Sequence, residues 1–220
     1  MVKLCIFDLD GTVLDTVGTI AYYGNYALEK NGIEPIDVPE YKYLAGTGIS
    51  NLIKNMLKFR GCYTEETYNK VFRVYDKAYN ANVLYNTKIF DGLKEVLDAI
   101  KAEGIKLAVV SNKPDFAAKA VVAAMYGEGY FEEVEGQKKG GVLKPDPTEV
   151  LGVMARMGVS REECIYVGDT STDMETGRNA ELFTVGVLWG FRGREELIKA
   201  GADVVIEKPA ELCDIAFGSR

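Results

Sequence analysis

There is no histidine among the 220 residues of this sequence. That absence removes histidine phosphatases, Ser-His-Asp hydrolases and histidine-ligated metal centres together. Acid–base chemistry near neutral pH must therefore fall to carboxylate, lysine, tyrosine or cysteine side chains. Cysteine is scarce as well: Cys5, Cys62, Cys164 and Cys213 lie far apart and form no CxxC pair. Structural thiols in a reducing compartment are expected in place of disulfides or a zinc site. No apolar run is long enough to cross a bilayer, and the N-terminal residues reach Asp8 without a leader-like apolar stretch. The expectation is a cytoplasmic protein with no membrane partner. Net positive charge is missing too. At a formal charge of -7 the chain has no basic footprint for nucleic acid. A site that handles phosphate must then concentrate positive charge locally, with a metal ion or a well-placed lysine.

What the sequence does contain is an ordinary globular balance, 47% hydrophobic and 27% charged. Apolar runs of strand length recur at Lys3–Phe7, Lys106–Val110, Cys164–Val167, Phe183–Val187 and Asp203–Ile206. Segments of helical period stand between them at Leu93–Ala102, Phe116–Met125, Pro147–Met157 and Glu195–Ala200. Ser160 to Glu163 fits a capping box with room for a single turn. This alternation predicts an α/β fold, a parallel sheet covered by helices on both faces. The stretch from Val17 to Tyr85 breaks the rhythm. It shows no buried strand, but Ala21–Asn31, Ile49–Phe59 and Glu65–Asn80 carry apolar residues at helical spacing, and tyrosines concentrate between Tyr41 and Tyr85. We expect a core of residues 1–16 and 86–220 with an all-helical cap domain, 17–85, inserted after the first strand. Most of those tyrosines are expected to pack the helices.

The chemistry gathers where strands end. Phe7-Asp8-Leu9-Asp10-Gly11-Thr12 closes the first run. Residues two apart in an extended chain project to one side, so Asp8 and Asp10 face the crevice beyond the strand's carboxyl end, where open parallel sheets bind ligands. Two carboxylates that close call for a cation, a shared proton or both. Gly11 permits a tight turn and offers an N–H to an anion; taken alone, an Asp-Gly turn with no further role is the competing reading. The second run ends in Ser111-Asn112-Lys113-Pro114, a hydroxyl and an amide suited either to phosphate oxygens or to capping the following helix. Lys144 precedes Pro145-Asp146-Pro147 in a constrained loop and is either a placed ammonium or a surface lysine. Asp169 and Asp173 follow the run Cys164–Gly168. Hard oxygen ligands there suit Mg²⁺, although Asp173 also stands where a helix N-cap would.

Taken in order, DLDGT at Asp8–Thr12, VVSNK at Val109–Lys113, LKPDP at Leu143–Pro147 and GDTSTD at Gly168–Asp173 resemble the four motifs of the haloacid dehalogenase superfamily. The likeness is greatest to its phosphoglycolate phosphatase-like branch, and it spans the whole chain. It implies a Rossmann-like core, an aspartyl-phosphate on Asp8, and Asp10 as the acid and then the base. Ser111, Asn112 and Lys144 would bind the phosphoryl group. Mg²⁺ would be held by Asp8, Asp169, the Asp10 carbonyl, and Asp173 directly or through water. The implied partner is a small phosphorylated metabolite, either phosphoglycolate-like, a nucleotide, pyrophosphate or a sugar phosphate. An aspartate at position 10 argues against the haloalkanoate-cleaving and phosphonoacetaldehyde-cleaving relatives. A sugar-phosphate mutase and a non-catalytic phosphate binder remain as alternatives; the loop Ala45–Ser50 has no arginine of the kind such a mutase carries. Gly46, Thr47 and Gly48 are expected to read the substrate, with a structural turn as the rival account. Oligomeric state is not legible.

Overall fold

A computed structural model describes residues 1–218; residues 219 and 220, the end of the expected core segment, lie outside the described residues. The chain begins with β1 (Leu4–Phe7). Four helices follow: α1 (Val17–Glu29), α2 (Tyr41–Leu44), α3 (Ile49–Phe59) and α4 (Glu65–Ala81). It then alternates through α5 (Leu93–Ala102), β2 (Lys106–Pro114), α6 (Asp115–Tyr126), β3 (Glu133–Gln137), α7 (Thr148–Met157) and β4 (Cys164–Gly168). It ends with α8 (Ser171–Asn179), β5 (Phe183–Val187), α9 (Arg194–Ala200), β6 (Val204–Ile206) and α10 (Glu211–Phe217).

The strands form one parallel sheet in the order β3-β2-β1-β4-β5-β6. All four residues of β1 are buried, because helices cover both faces and each successive side chain turns to one or the other. Cys5 and Phe7 join Leu107, Val109, Ile165 and Val167 against α5, α6 and α10. Leu4 and Ile6 join Ala108, Val110 and Tyr166 against Val150, Val153 and Met154 of α7. Each such side chain contributes roughly 1.5–3 kcal/mol on burial. In register, Phe7 stands beside Val109 of β2 and Val167 of β4. The residues that follow therefore emerge together at one rim. β1 lies between β2 and β4, where the strand order reverses, and that is the crevice in which open α/β sheets bind ligands.

Helices α1 to α4 bury a separate cluster that includes Ile20, Tyr23, Leu28, Tyr41, Ile53 and Met56. Thr64 begins α4 by accepting the Thr67 N–H at 3.0 Å, and Glu65 and Glu66 stand in its first turn, where the helix dipole favours anions. The two chain segments that join these helices to the sheet pair with each other: Asp15 N donates to Lys88 O at 2.8 Å and Lys88 N to Asp15 O at 3.2 Å. Among the described residues no helix is long and apolar enough to cross a membrane.

Three features depart from the sequence reading. β3 was not anticipated, because Glu133-Val-Glu-Gly-Gln has only one apolar side chain in five positions. β2 runs on through Pro114 across a shift of register after Val110, so Ser111, Asn112 and Lys113 belong to the strand. The seven residues of α10 give too short a pattern to read.

The separate cluster under α1–α4 carries a test. Ile53→Ala, at a fully buried position, should cost about 2–5 kcal/mol. Amide exchange should accelerate in α1–α4 before it does in β1, β2 and β4. Equal acceleration everywhere would make the two clusters one cooperative unit.

Candidate active site

Asp8 leaves β1 with its N–H bonded to Val167 O at 2.9 Å, which fixes it against the end of β4. Its Oδ1 accepts from Lys144 Nζ at 2.6 Å, while Oδ2 accepts no hydrogen bond among the described residues. The same ammonium donates to Asp173 Oδ1 at 2.7 Å and to Tyr166 Oη at 3.2 Å. Lys144 thus commits its three donors to two acidic side chains and one phenol. Its position is imposed from behind: Asn112 Oδ1 accepts the Lys144 N–H at 2.8 Å and Asn112 Nδ2 donates to the Lys144 carbonyl at 3.3 Å. The following peptide, to Pro145, is cis.

Asp173 lies in the first turn of α8 and caps it. Its Oδ2 accepts from Thr170 Oγ1 at 2.6 Å, Thr170 N at 3.0 Å and Asp169 N at 3.2 Å. The cap thus takes Oδ2, while Oδ1 is turned to Lys144. Asp169 is completely enclosed. Thr12 Oγ1 donates to its Oδ1 at 2.6 Å and the Phe191 N–H to its Oδ2 at 2.8 Å. A Cβ at Gly11 would stand 2.3 Å from Asp169 Oδ2, and one at Gly190 2.5 Å from the same atom. Glycine is required at both, and Gly11 also holds φ at +93°.

Carboxylate oxygens of Asp8, Asp169 and Asp173 lie within 4.8 Å of one another, all buried. Burial raises the Asp8 carboxyl from 3.8 to about 7, with Lys144 opposing the rise and Asp173 adding to it. Asp169 is held well above the carboxylate range by burial, then by Asp173 and Asp8. For Lys144, burial works against the charge, but Asp173 and Asp8 outweigh it and hold the ammonium well above its ordinary value. One ammonium pairs with two of the three acids, and the raised Asp8 and Asp169 carboxyls mark a place where ionising all three calls for a further cation. That donor set fits a small hard cation such as Mg²⁺.

Beside this cluster is a cavity of ≈ 50 Å³ lined by Asp8, Asp10, Ser111, Gly48, Tyr79 and Lys113 among others. Ile20, Ile49 and Leu52 supply its apolar wall. Asp10 pairs with Lys113, Nζ to Oδ1 2.8 Å and to Oδ2 3.2 Å. Burial again opposes the Lys113 charge, yet Asp10, then Tyr79, raise its pKa above the lysine range. Ser111 Oγ accepts the Lys113 N–H at 3.3 Å and keeps its own O–H to donate.

Several residues take places other than those read from sequence. The Gly11 N–H donates to Leu14 O at 2.8 Å, so it is spent on the turn and is not offered to an anion. The Asn112 amide clamps the Lys144 backbone and also donates to Gly46 O at 3.2 Å. Phosphate contact through that side chain would require breaking these bonds. Gly46 and Gly48 line the cavity; Thr47 does not. Lys113 stands inside the second motif, yet sequence pattern alone assigns it no role. The loop Leu188–Gly193 was passed over as well, and the signal available was its position just after a strand, on the rim that carries Asp8 and Asp169.

The haloacid dehalogenase-like hydrolase profile matches residues 5–187. A phosphoglycolate phosphatase from Aquifex aeolicus (strain VF5) is 34% identical over 213 residues, covering 96% of this chain and 94% of its own. A provisionally named pyrophosphatase from Caldanaerobacter subterraneus subsp. tengcongensis is 32% identical, covering 97% of this chain and 94% of its own. Among solved structures, one provisionally named phosphoglycolate phosphatase from Lactobacillus delbrueckii subsp. bulgaricus superposes with a TM-score of 0.94. It is 30% identical, and the match covers 99% of each chain. The rim of acids around Lys144, the sheet order and these likenesses agree, and the chain belongs to the haloacid dehalogenase-like hydrolase family.

Proposed function

We propose that this chain is a Mg²⁺-dependent phosphomonoesterase that hydrolyses a small phosphorylated metabolite through an aspartyl-phosphate on Asp8. In this reading residues 17–85 form a helical cap domain over a core of residues 1–16 and 86–220. One observation carries it. Asp8 is gripped through one oxygen by Lys144 while its other oxygen accepts no bond, at the edge of a cavity that also holds Asp10. That is the arrangement a carboxylate nucleophile needs, fixed in place and open on one side.

Asp8 Oδ2 attacks phosphorus, the bond from phosphorus to the ester oxygen breaks, and Asp10 gives a proton to the departing alkoxide. Water then attacks the phosphorus of the acyl phosphate, Asp10 takes its proton, and inorganic phosphate leaves as the Asp8 carboxylate is restored. Ser111 donates its hydroxyl to a phosphoryl oxygen. Lys144 reaches another only by exchanging one of its three bonds. Asp8, Asp169 and the Asp10 carbonyl would hold Mg²⁺, and Asp173, whose oxygens already serve Lys144 and Thr170, is suited to reach it through water. When bound, the ion neutralises charge on the phosphoryl oxygens and on the clustered carboxylates.

The cavity of ≈ 50 Å³ holds the equivalent of about four waters. A two-carbon or diphosphate substrate is the scale we propose for that space. The names of the relatives, phosphoglycolate phosphatase and pyrophosphatase, support the same scale of substrate.

Asp8→Asn should lower phosphate release by on the order of 10⁴-fold or more with the fold retained. Near-native turnover in the purified variant would remove Asp8 as nucleophile. Asp10→Asn should cost about 10²–10⁴-fold on an alkyl phosphate and much less on an aryl phosphate with a good leaving group. Equal losses on both would dismiss Asp10 as the proton donor.

Stability of the metal-free protein supplies a third check. The Asp8 carboxyl titrates at about 7 in the fold against 3.8 unperturbed, so between those values the folded state binds a proton that the unfolded state has released. Stability must then fall as pH rises from about 4 to 7 and level off above that range, and Asp169 acts in the same sense. Thermal melts in chelator should give a higher midpoint at pH 5 than at pH 7.5, and Mg²⁺ should raise the pH 7.5 value. A midpoint that climbs over that interval in chelator, or ignores Mg²⁺, would contradict the crowded-carboxylate account.

A further inference from the structure

We propose that Lys113 recognises a second anionic group on the substrate, so that the enzyme selects short phosphate compounds whose leaving group itself carries a carboxylate or phosphoryl group. The inference rests on the phosphatase reading above and names the substrate class for that site.

Two buried ammonium groups stand near Asp8, and they differ in what they have left to give. Lys144 has spent its three donors on Asp8, Asp173 and Tyr166. Lys113 is as deeply buried, 7% exposed, but it lines the cavity, and Asp10 takes at most two of its donors. The remaining N–H is held at most weakly, by the Tyr79 hydroxyl, and can turn to whatever enters. Its ammonium lies 5.4 Å from the centre of the Tyr79 ring, and the buried Tyr79 hydroxyl faces that ammonium without completing a hydrogen bond of good geometry. A buried polar atom left unpaired is costly unless a ligand satisfies it. Ile20, Ile49 and Leu52 offer no competing charge on the cavity wall.

Geometry also says which part of the substrate Lys113 meets. Asp10 must touch the ester oxygen to protonate it, and Lys113 touches Asp10. The group facing Lys113 is therefore one or two atoms beyond the ester oxygen, on the leaving group and not on the transferred phosphoryl. As Asp10 turns to that oxygen it loosens its bond to Lys113, and an anion at that place takes the ammonium over. A neutral tail leaves the exchange uncompensated in a dry pocket.

The test compares phosphate release from 2-phosphoglycolate, pyrophosphate and 2-hydroxyethyl phosphate, the last a neutral-tailed counterpart of the first. The native protein should favour one or both anionic compounds over the neutral ester in kcat/KM by about 10- to 100-fold. Which of the two leads tells carboxylate from phosphoryl recognition. In Lys113→Met that ratio should collapse toward one, and in Lys113→Arg it should largely survive. Should the methionine variant fail to fold, Lys113→Gln removes the charge while keeping a donor for Asp10. A native protein indifferent to tail charge, or a Lys113→Met or Lys113→Gln variant that keeps the preference, overturns the assignment. Phosphate release from none of the three compounds, nor from a generic aryl phosphate, removes the phosphatase reading and this inference with it.

Discussion

The ammonium of Lys144 sits between Asp8 and Asp173, at 2.6 and 2.7 Å, with all three side chains buried. Without it, carboxylates from the ends of β1 and β4 would face each other in a low-dielectric crevice, and removing one partner of such a buried pair costs about 3–5 kcal/mol. Much of the surrounding structure keeps this lysine where it is. The Asn112 side chain closes on both backbone polar groups of Lys144 from the neighbouring strand. Thr170 and the start of α8 hold Asp173 by its other oxygen. Asn179 Nδ2, at the far end of α8, donates to Pro145 O at 2.9 Å, tying the same helix to the lysine loop. Three sheet strands and one loop are thus locked at the catalytic rim by polar bonds, while the core beneath is locked by apolar contact.

That division explains why the sheet is built as it is. The apolar stripes on β1, β2 and β4 set which side chains alternate to which face, and they hold the three strands side by side in register. Where the stripes end the chain turns polar within one residue of the same level, Asp8 just after Phe7 and Ser111 and Asp169 one step further on, with no long-range instruction beyond register. The enclosing turn is then forced to be small. Gly11 and Gly190 clear the space that the Asp169 carboxylate occupies. Trp189 Nε1 donates to Thr12 O at 3.0 Å, which fastens the loop after β5 over the turn after β1.

Asp8 and Asp169 stand at the rim because each directly follows an apolar run, and Asp10 two residues on, so local pattern states their place; Lys144 stays open between a placed ammonium and a surface lysine until the fold brings it to Asp8. What could not be read depends on partners distant in the chain. Asn112 is legible as a helix cap or a phosphate donor, but it does a third thing, because Lys144 reaches it only after folding. Gly11 looks like an anion-binding turn until the Leu14 carbonyl is seen to take its N–H. β3 escaped because it is an edge strand that presents Glu133 and Glu135 to Arg156, and charge on an edge both hides its pattern and discourages pairing with other chains. The loop Gly46–Gly48 shows the limit from another side. Its glycines stand on the cavity wall but its threonine does not, and no spacing rule distinguishes the two outcomes.

The helices over the site contribute in a way composition could only hint at. Most of their tyrosines do pack the insertion, as Tyr23 and Tyr41 do, yet Tyr75 and Tyr79 also face the cavity. Tyr79 meets Lys113 from the core across that space. Asn112 reaches Gly46, Lys42 reaches the Gly190 carbonyl at 3.1 Å, and Arg192 reaches the Ala45 carbonyl at 3.2 Å. Each of these bonds joins a side chain on one side of the crevice to backbone on the other, next to Asp8 or to Asp169. Apolar contact spans the crevice beside them, since Phe191 from the loop after β5 and Ala117 of α6 join the cluster under α1–α4. The common location of these contacts means that any opening of the helices away from the sheet would loosen the same residues that position the chemistry. The contacts that span the crevice are therefore made by the same residues that line its rim, so the position of the helices and the geometry around Asp8 and Asp169 are set together.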